Sequence, residues 1–182
     1  MKSVPATKKN LLSQFIAAAE DVAATVETVE KSPEALNTAL LKAIRGKDGV
    51  ILAEPDDLDP AFFEPFRENS QVVTEPTEEQ LSSFQVGITD AFAGIARTGS
   101  VCVTNSQKLS GAVSLFTREH IAVLDLDWLV EKPREVFTSP LLKKKGLNRS
   151  FVFVTGPSAT ADMGTLVRGV HGPGKLHIIL LE

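Results

Sequence analysis

The feature that most narrows the fold is a repeated exchange of short β-rich runs with helical patterns along nearly the whole chain. Gly49 to Ala53, Gln71 to Val73, Gln85 to Ile88, Gly99 to Thr104, His120 to Leu124, Phe151 to Val154 and Leu176 to Leu181 read as strands. Several lack an in/out alternation, as strands do when both faces of their sheet are covered. Strands separated by helices predict an α/β fold with a mainly parallel sheet flanked by helices.

The helical patterns start early. Leu11, Phe15, Ala18, Val22, Val26 and Val29 recur at helical spacing, and Ser32-Pro33 supplies an N-cap with proline at the first helical position. An N-terminal helical segment is therefore expected over about 10–46, behind a frayed leader at residues 1–9. Further helices are expected between Pro60 and Asn69, after the capping-box sequence Thr77-Glu78-Glu79-Gln80, over Ala91 to Arg97, around Leu126, Leu129, Val130 and Val136, and over Leu141 to Leu147. The 182 residues suit a single domain over 1–182, which at this size buries roughly 70% of its unfolded surface.

Charge and cysteine content exclude several classes. With 19 basic and 23 acidic residues the formal charge is −4, which argues against nucleic acid as a partner. Lys2, Lys8 and Lys9 precede an apolar run, but Glu20 and Asp21 interrupt it before a signal-peptide core could form. No window approaches the ~20 apolar residues of a membrane span. The chain reads as cytoplasmic, without a membrane partner. Cys102 stands alone between Val101 and Val103, so neither a disulfide nor a cysteine-rich metal or iron–sulfur site is available, and it reads as a small buried hydrophobe. The histidines show no zinc-ligand spacing, so no metal site is expected.

In open α/β sheets ligands gather beyond the carboxyl ends of the strands. That rule selects the loops at Glu54-Pro55, Thr89-Asp90, Thr104-Asn105-Ser106, Asp125 and Thr155 to Asp162. The last holds Gly156, Pro157, Ser158 and Thr160, small residues and hydroxyls where a helix start would offer free N–H groups to an anion, although a plain strand–turn–helix cap reads equally well. Arg97-Thr98-Gly99-Ser100 is the second small-residue turn, with Arg97 either a bidentate anion ligand or a helix-terminal cation. His171 lies in the glycine-flanked turn Gly169 to Gly172, reachable as an acid, base or ligand, or else stabilising the turn. His120 and His177 each begin a strand and read as structural. Phosphate-loop, dinucleotide and nucleophile-elbow spacings are all missing.

The last third of the chain closely resembles the lactate-utilisation protein C family, whose module is the LUD domain. The resemblance rests on Thr155-Gly156-Pro157-Ser158-Ala159-Thr160-Ala161-Asp162, on Leu166-Val167-Arg168-Gly169-Val170-His171-Gly172-Pro173 and on Leu176-His177-Ile178-Ile179-Leu180. Val86 to Ala91 and Ala96 to Val101 are similar to the family's second signature, and Ser114-Leu115 leading to His120 is similar to the strand that follows. Residues 85–182 carry the match; residues 1–84 share only the general layout. The resemblance implies a fold like the NagB/RpiA/CoA-transferase group and 5-formyltetrahydrofolate cyclo-ligase. It also implies a part in oxidising L-lactate to pyruvate beside iron–sulfur partner subunits, and no cofactor of this chain's own. Two positions depart from the family pattern: Arg97 stands where an acidic residue is usual, and Gly164 follows Asp162-Met163 where another acid is common.

A lactate-utilisation component binding a small anionic ligand is the leading expectation, with Arg97, Thr98, Gly99, Ser100, Gly156, Pro157, Ser158, Thr160, Arg168 and Gly169 as ligand-binding candidates. Asp90, Asp162 and His171 are the candidates for catalysis. The alternatives are a stand-alone transferase or ligase-like enzyme using a nucleotide or CoA-type ligand, and an interaction subunit with a degenerate pocket. The ligand account requires the two small-residue turns to converge on one electropositive crevice.

Overall fold

A computed structural model describes residues 6–182 apart from 107, 147 and 163. In chain order its elements are α1 (Ala6–Asp21), β1 (Thr25–Val29), α2 (Pro33–Ala43), β2 (Val50–Leu52), a 3-10 turn (Pro60–Phe62), α3 (Glu64–Arg67), β3 (Val72–Val73), α4 (Glu78–Ser83), β4 (Val86–Ala91), β5 (Ala93–Ile95), β6 (Ser100–Asn105), α5 (Ser110–Phe116), β7 (Glu119–Asp125), a 3-10 turn (Leu126–Trp128), β8 (Leu129–Val130), α6 (Pro133–Thr138), α7 (Pro140–Lys145), β9 (Ser150–Val154), β10 (Ala159–Thr160), β11 (Val167–Arg168) and β12 (Lys175–Leu181).

The central sheet has the order β1-β12-β7-β4-β2-β3 and every pairing in it is parallel. A second sheet, β8-β5-β6-β9, is mostly antiparallel, and β10-β11 form a separate antiparallel ribbon. Period-2 alternation divides the central strands between two cores. Val86, Ile88, Ile121, Val123, Ile179 and Leu181 face α2 and α3, packing with Leu36, Leu40, Phe63 and Phe66. Ala91, Ala122, Leu124, Leu176, Ile178 and Leu180 face the other way, onto Phe15 and Ala19 of α1 and Val101 and Val103 of β6. The α/β class and the mainly parallel sheet flanked by helices are as expected.

Three expected helices differ. The first stops at Asp21 because Ala23 takes a positive φ of 64° and turns the chain into β1. Val26 then packs in one core and Val29 against the other, the alternation of a strand rather than the stripe of a helix. Ala91 to Arg97 is no helix: Ala93 and Gly94 pair antiparallel with Cys102 and Val101 in a hairpin. The stretch around Leu126 to Val136 divides into a 3-10 turn, β8 and α6. Thr155 to Asp162, where a helix start was expected, forms a turn and β10 instead. Leu147, at the end of the helix expected over 141–147, lies outside the described residues, as do Lys2, Gln107 and Met163. The Ser32 cap and the Thr77/Gln80 capping box form as the sequence predicts.

Candidate functional site

The chain steps from β2 outward to β3, returns to β4, and then proceeds through β7 to β12 in the opposite direction. The winding therefore reverses between β2 and β4, the place where open α/β sheets take ligands. A polar cluster occupies it. The buried Asp90 carboxylate, on β4, accepts backbone N–H bonds from Asp56 (3.2 Å), Asp57 (2.6 Å) and Leu58 (2.8 Å) in the loop after β2. Burial, with the neighbouring Asp57 carboxylate adding to it, raises the Asp90 pKa to about 6 against those three donors.

The loop that Asp90 fixes carries two further carboxylates. Asp57 accepts from Thr104 Oγ1 (2.6 Å) and Arg149 (2.7 Å), with Lys145 at 3.2 Å. Asp56 accepts from Ser106 (2.9 Å) and Ser110 (3.0 Å). Three of the loops selected by the carboxyl-end rule, at Glu54-Pro55, Thr89-Asp90 and Thr104 to Ser106, thus meet here, while Asp125 pairs with Lys31 at 2.6 Å farther along the same rim. The chain's own cations and hydroxyls pair with Asp57, and two hydroxyls hold one oxygen of Asp56, so the cluster staples the loop after β2 to β4, β6 and the segments around Ser110 and Arg149. Cys102 is buried and its thiol is pushed up to about 12, chiefly by desolvation, which leaves it unreactive near neutrality.

The Thr155 to Asp162 loop lies elsewhere. Its strand, β9, runs antiparallel to β6, so Thr155 emerges beside Ser100, away from the Asn105/Ser150 end of the same pair. Ser158 N–H donates to Pro173 O (2.8 Å) and Gly174 N–H to Arg118 O (2.9 Å), which ties the loop to the amino ends of β12 and β7. The two small-residue turns do meet: Ser100 Oγ lies 2.7 Å from both Thr98 Oγ1 and Thr155 Oγ1. What fills the space beside them is the end of α1. A Cβ on Gly99 would stand 2.2 Å from Ala19 N, and one on Gly156 would stand 2.2 Å from Val22 O.

The candidates accordingly divide among separate surfaces. Arg97 and Thr98 line an open hollow with Lys132 and Arg134. Arg168 lines a groove of about 390 Å³ along the amino ends of β1, β12 and β7. Gly156, Pro157, Ser158 and His171 line a cleft of about 260 Å³ between α5 and β9. Gly169 borders a hollow with Phe116 and Val170. Thr160 sits on the ribbon, and its Oγ1 accepts from the N–H of the exposed Asp162 (3.4 Å). No common crevice joins Arg97 to Arg168 among the described cavities.

The floor of the α5–β9 cleft holds a residue that the sequence reading set aside. His120 is buried, its Nε2 lies 2.9 Å from Thr89 Oγ1, and its Nδ1 is buried with no hydrogen-bond partner among the described residues. Burial lowers its pKa to about 4, so the ring is neutral near pH 7. By contrast His177 has a partner, Thr25 Oγ1 at 2.8 Å. The signal that could have found His120 is its position opposite Gly87 on β4, where the missing side chain lets Val113 of α5 and Thr117 just after it pack close.

The LUD domain family model matches residues 12–181. The chain belongs to the LUD domain family. Lactate utilization protein C of Bacillus subtilis is 34% identical over 103 residues, 53% of this chain and 42% of that protein. The protein of the same name from an Exiguobacterium species is 29% identical over 188 residues, 97% of this chain and 80% of that one. Apart from the latter, the chain spans about half the length of the curated relatives it matches. The crystal structure of a DUF162 family protein from Deinococcus radiodurans superimposes with a TM-score of 0.69 at 21% identity, covering 98% of this chain and 100% of that one, and shares the fold. Among the described residues of this LUD domain protein no group of acidic, histidine or cysteine side chains could hold a metal ion, and no helix is long and apolar enough to cross a membrane.

Proposed function

We propose that this LUD domain protein serves lactate utilisation in the cytoplasm, working with iron–sulfur partner subunits and binding a small organic anion in the cleft between α5 and β9. The carrying observation is that Gly156, Pro157 and Ser158 of one motif and His171 of the next line one cleft of about 260 Å³. That volume lies below the ~300–1,000 Å³ of sites for drug-sized ligands. It suits a lactate- or pyruvate-sized acid better than a nucleotide or CoA ester. The names of the relatives support the pathway, and the volume of the cleft supports the ligand size.

Thermal unfolding with lactate, pyruvate, nucleotides and CoA esters tests this reading. A ligand that binds only the native state raises Tm with its concentration. The small acids should raise Tm in the wild type and in Arg97→Ala, whose residue lines a different hollow, and less in Ser158→Ala. Stabilisation by nucleotides or CoA esters alone would favour the transferase-like alternative. The interaction-subunit reading has one observation of its own: Leu115, Phe116 and Val170 are exposed together beside the cleft. Co-purification with an iron–sulfur protein that Phe116→Asp abolishes, without any ligand-dependent Tm shift, would favour it.

A further inference from the structure

The α5–β9 cleft and the groove along the amino ends of β1, β12 and β7 share His120, Pro157 and Leu176, which form the partition between them. His120 is the polar member of that partition, 1% exposed, with one ring nitrogen unpartnered. A buried polar group without a partner is costly, so a native structure that keeps one at a cavity wall invites a ligand atom there.

Hydrogen-bond counting assigns the proton. The Thr89 hydroxyl is fully buried, and its only partner among the described residues is His120 Nε2. If Nε2 carried the hydrogen, two groups would go unsatisfied, the Thr89 O–H donor and the Nδ1 acceptor. If Thr89 donates to Nε2, only Nδ1–H is left over. The second arrangement is favoured, and it presents an unused N–H donor, which calls for an acceptor oxygen. Because the ring is neutral and no Lys or Arg lines this cleft, seating a carboxylate at the floor would leave its charge buried and unpaired. A carbonyl oxygen carries no such penalty.

We infer that His120 anchors a short-chain oxo acid in the α5–β9 cleft, its Nδ1–H donating to the ligand's carbonyl oxygen. The acid's alkyl end packs on Leu176 and Val154, and its carboxylate lies toward the mouth, where Ser158 and the exposed His171 stand. The nitrogen is covered at rest, so the oxygen reaches it only when the cleft wall shifts. Thr89 acts as a positioning residue by holding the tautomer. This inference rests on the proposed ligand cleft, but it adds a donor, an orientation and a preference for the oxo form.

Histidine-selective 15N NMR on the full chain, titrated with pyruvate and separately with lactate, tests it. The expected result is a neutral Nδ1–H tautomer for His120, a shift of its Nδ1 resonance with pyruvate, and weaker binding of lactate. His120→Gln places its carboxamide near Nε2 and removes the Nδ1 donor. It should weaken pyruvate binding about tenfold, the equivalent of roughly 1.4 kcal/mol, and His120→Asn, which returns an N–H near Nδ1, should recover part of it. An Nε2–H tautomer in the wild type overturns the inference without any variant. Pyruvate binding that moves His171 and leaves His120 unmoved overturns it while sparing the ligand cleft. No response to either acid at any histidine, with only a water serving Nδ1, overturns both.

Discussion

At the scale of single residues, the side chains that matter most to stability are those that satisfy a buried charge. Asp57 is enclosed, its carboxylate fully buried, and Arg149 is its closest cation at 2.7 Å. Breaking a buried ion pair from one side leaves the other charge without compensation, at a cost of about 3–5 kcal/mol. Lys145 remains within 3.2 Å and recovers part of that loss. Arg149→Ala is therefore expected to cost about 3 kcal/mol, a Tm drop of roughly 6–12 °C in a chain of this size, read by calorimetry. The Arg149 guanidinium also lies 5.5 Å over the Phe92 ring, so Arg149→Lys should recover only part of the loss, because an ammonium lacks the planar fork and the stacking face. A Tm unchanged in Arg149→Ala would mean that the cluster is solvated and that the loop after β2 is held by Asp90 alone.

At the scale of elements, the structure turns on how α1 ends. Its last turn and Val22, which follows it, pack against two glycines from turns more than fifty residues apart, both at φ +64°. Gly156→Ala would bring a Cβ to 2.2 Å from Val22 O and force a left-handed backbone on an alanine. The expected loss is more than about 2 kcal/mol, with hydrogen exchange accelerated first at Val22 to Ala24, where the chain leaves α1. Gly46→Ala is the control: its φ of +74° is close to that of Gly156, and nothing lies within 4 Å of the added atom. It should show the backbone cost without the clash, and equal losses in the two variants would remove the packing argument. The same elements show what was legible in the sequence. The exchange of strands and helices, the Ser32 cap and the Thr77 capping box could be read because each is local chemistry. Strand direction could not. Phe151 to Val154 has the same composition in either orientation, and only its antiparallel partner β6 sends Thr155 to the opposite end from the carboxyl rim. Because of that reversal, Asp90 and Thr104 stand at the carboxyl rim, where the rule looks for ligands, and Ser158 stands at the opposite rim. His120 was legible as the start of a strand, but its unpartnered nitrogen depends on Thr89 of a neighbouring strand and on the α5 packing, neither of which its own segment encodes.

At the scale of the whole molecule, two buried groups on opposite faces of the central sheet make its stability respond to acid in opposing directions. His120 has its pKa lowered from the ordinary 6.5 to about 4, so between those values the unfolded chain binds more protons than the folded one. Its contribution is present above pH 6.5 and is lost as the pH falls toward 4. Asp90 has its pKa raised from the ordinary 3.8 to about 6, so in nearly the same window the folded chain binds more protons, and its contribution falls as the pH rises. The wild type should consequently show a shallower dependence between pH 4 and 6 than either group alone would give, each group being limited to about 1.4 kcal/mol per pH unit. Glu119 also titrates with folding: burial pushes it upward, and the Lys47 and Lys175 ammonium groups more than offset this. Lys8 lowers Asp127, and burial lowers His177. Those groups are common to the wild type and both test variants, so they drop out of differences. Denaturant unfolding from pH 4 to 7 should show His120→Gln losing least, relative to wild type, at the acid end, where the wild-type histidine is itself a liability. Asp90→Asn should show the reverse trend, its deficit shrinking as the pH rises and the wild-type carboxylate is forced to ionise in a buried site. A pH-independent deficit in both variants would place the titrations of His120 and Asp90 outside this window and leave the two residues as purely geometric fasteners.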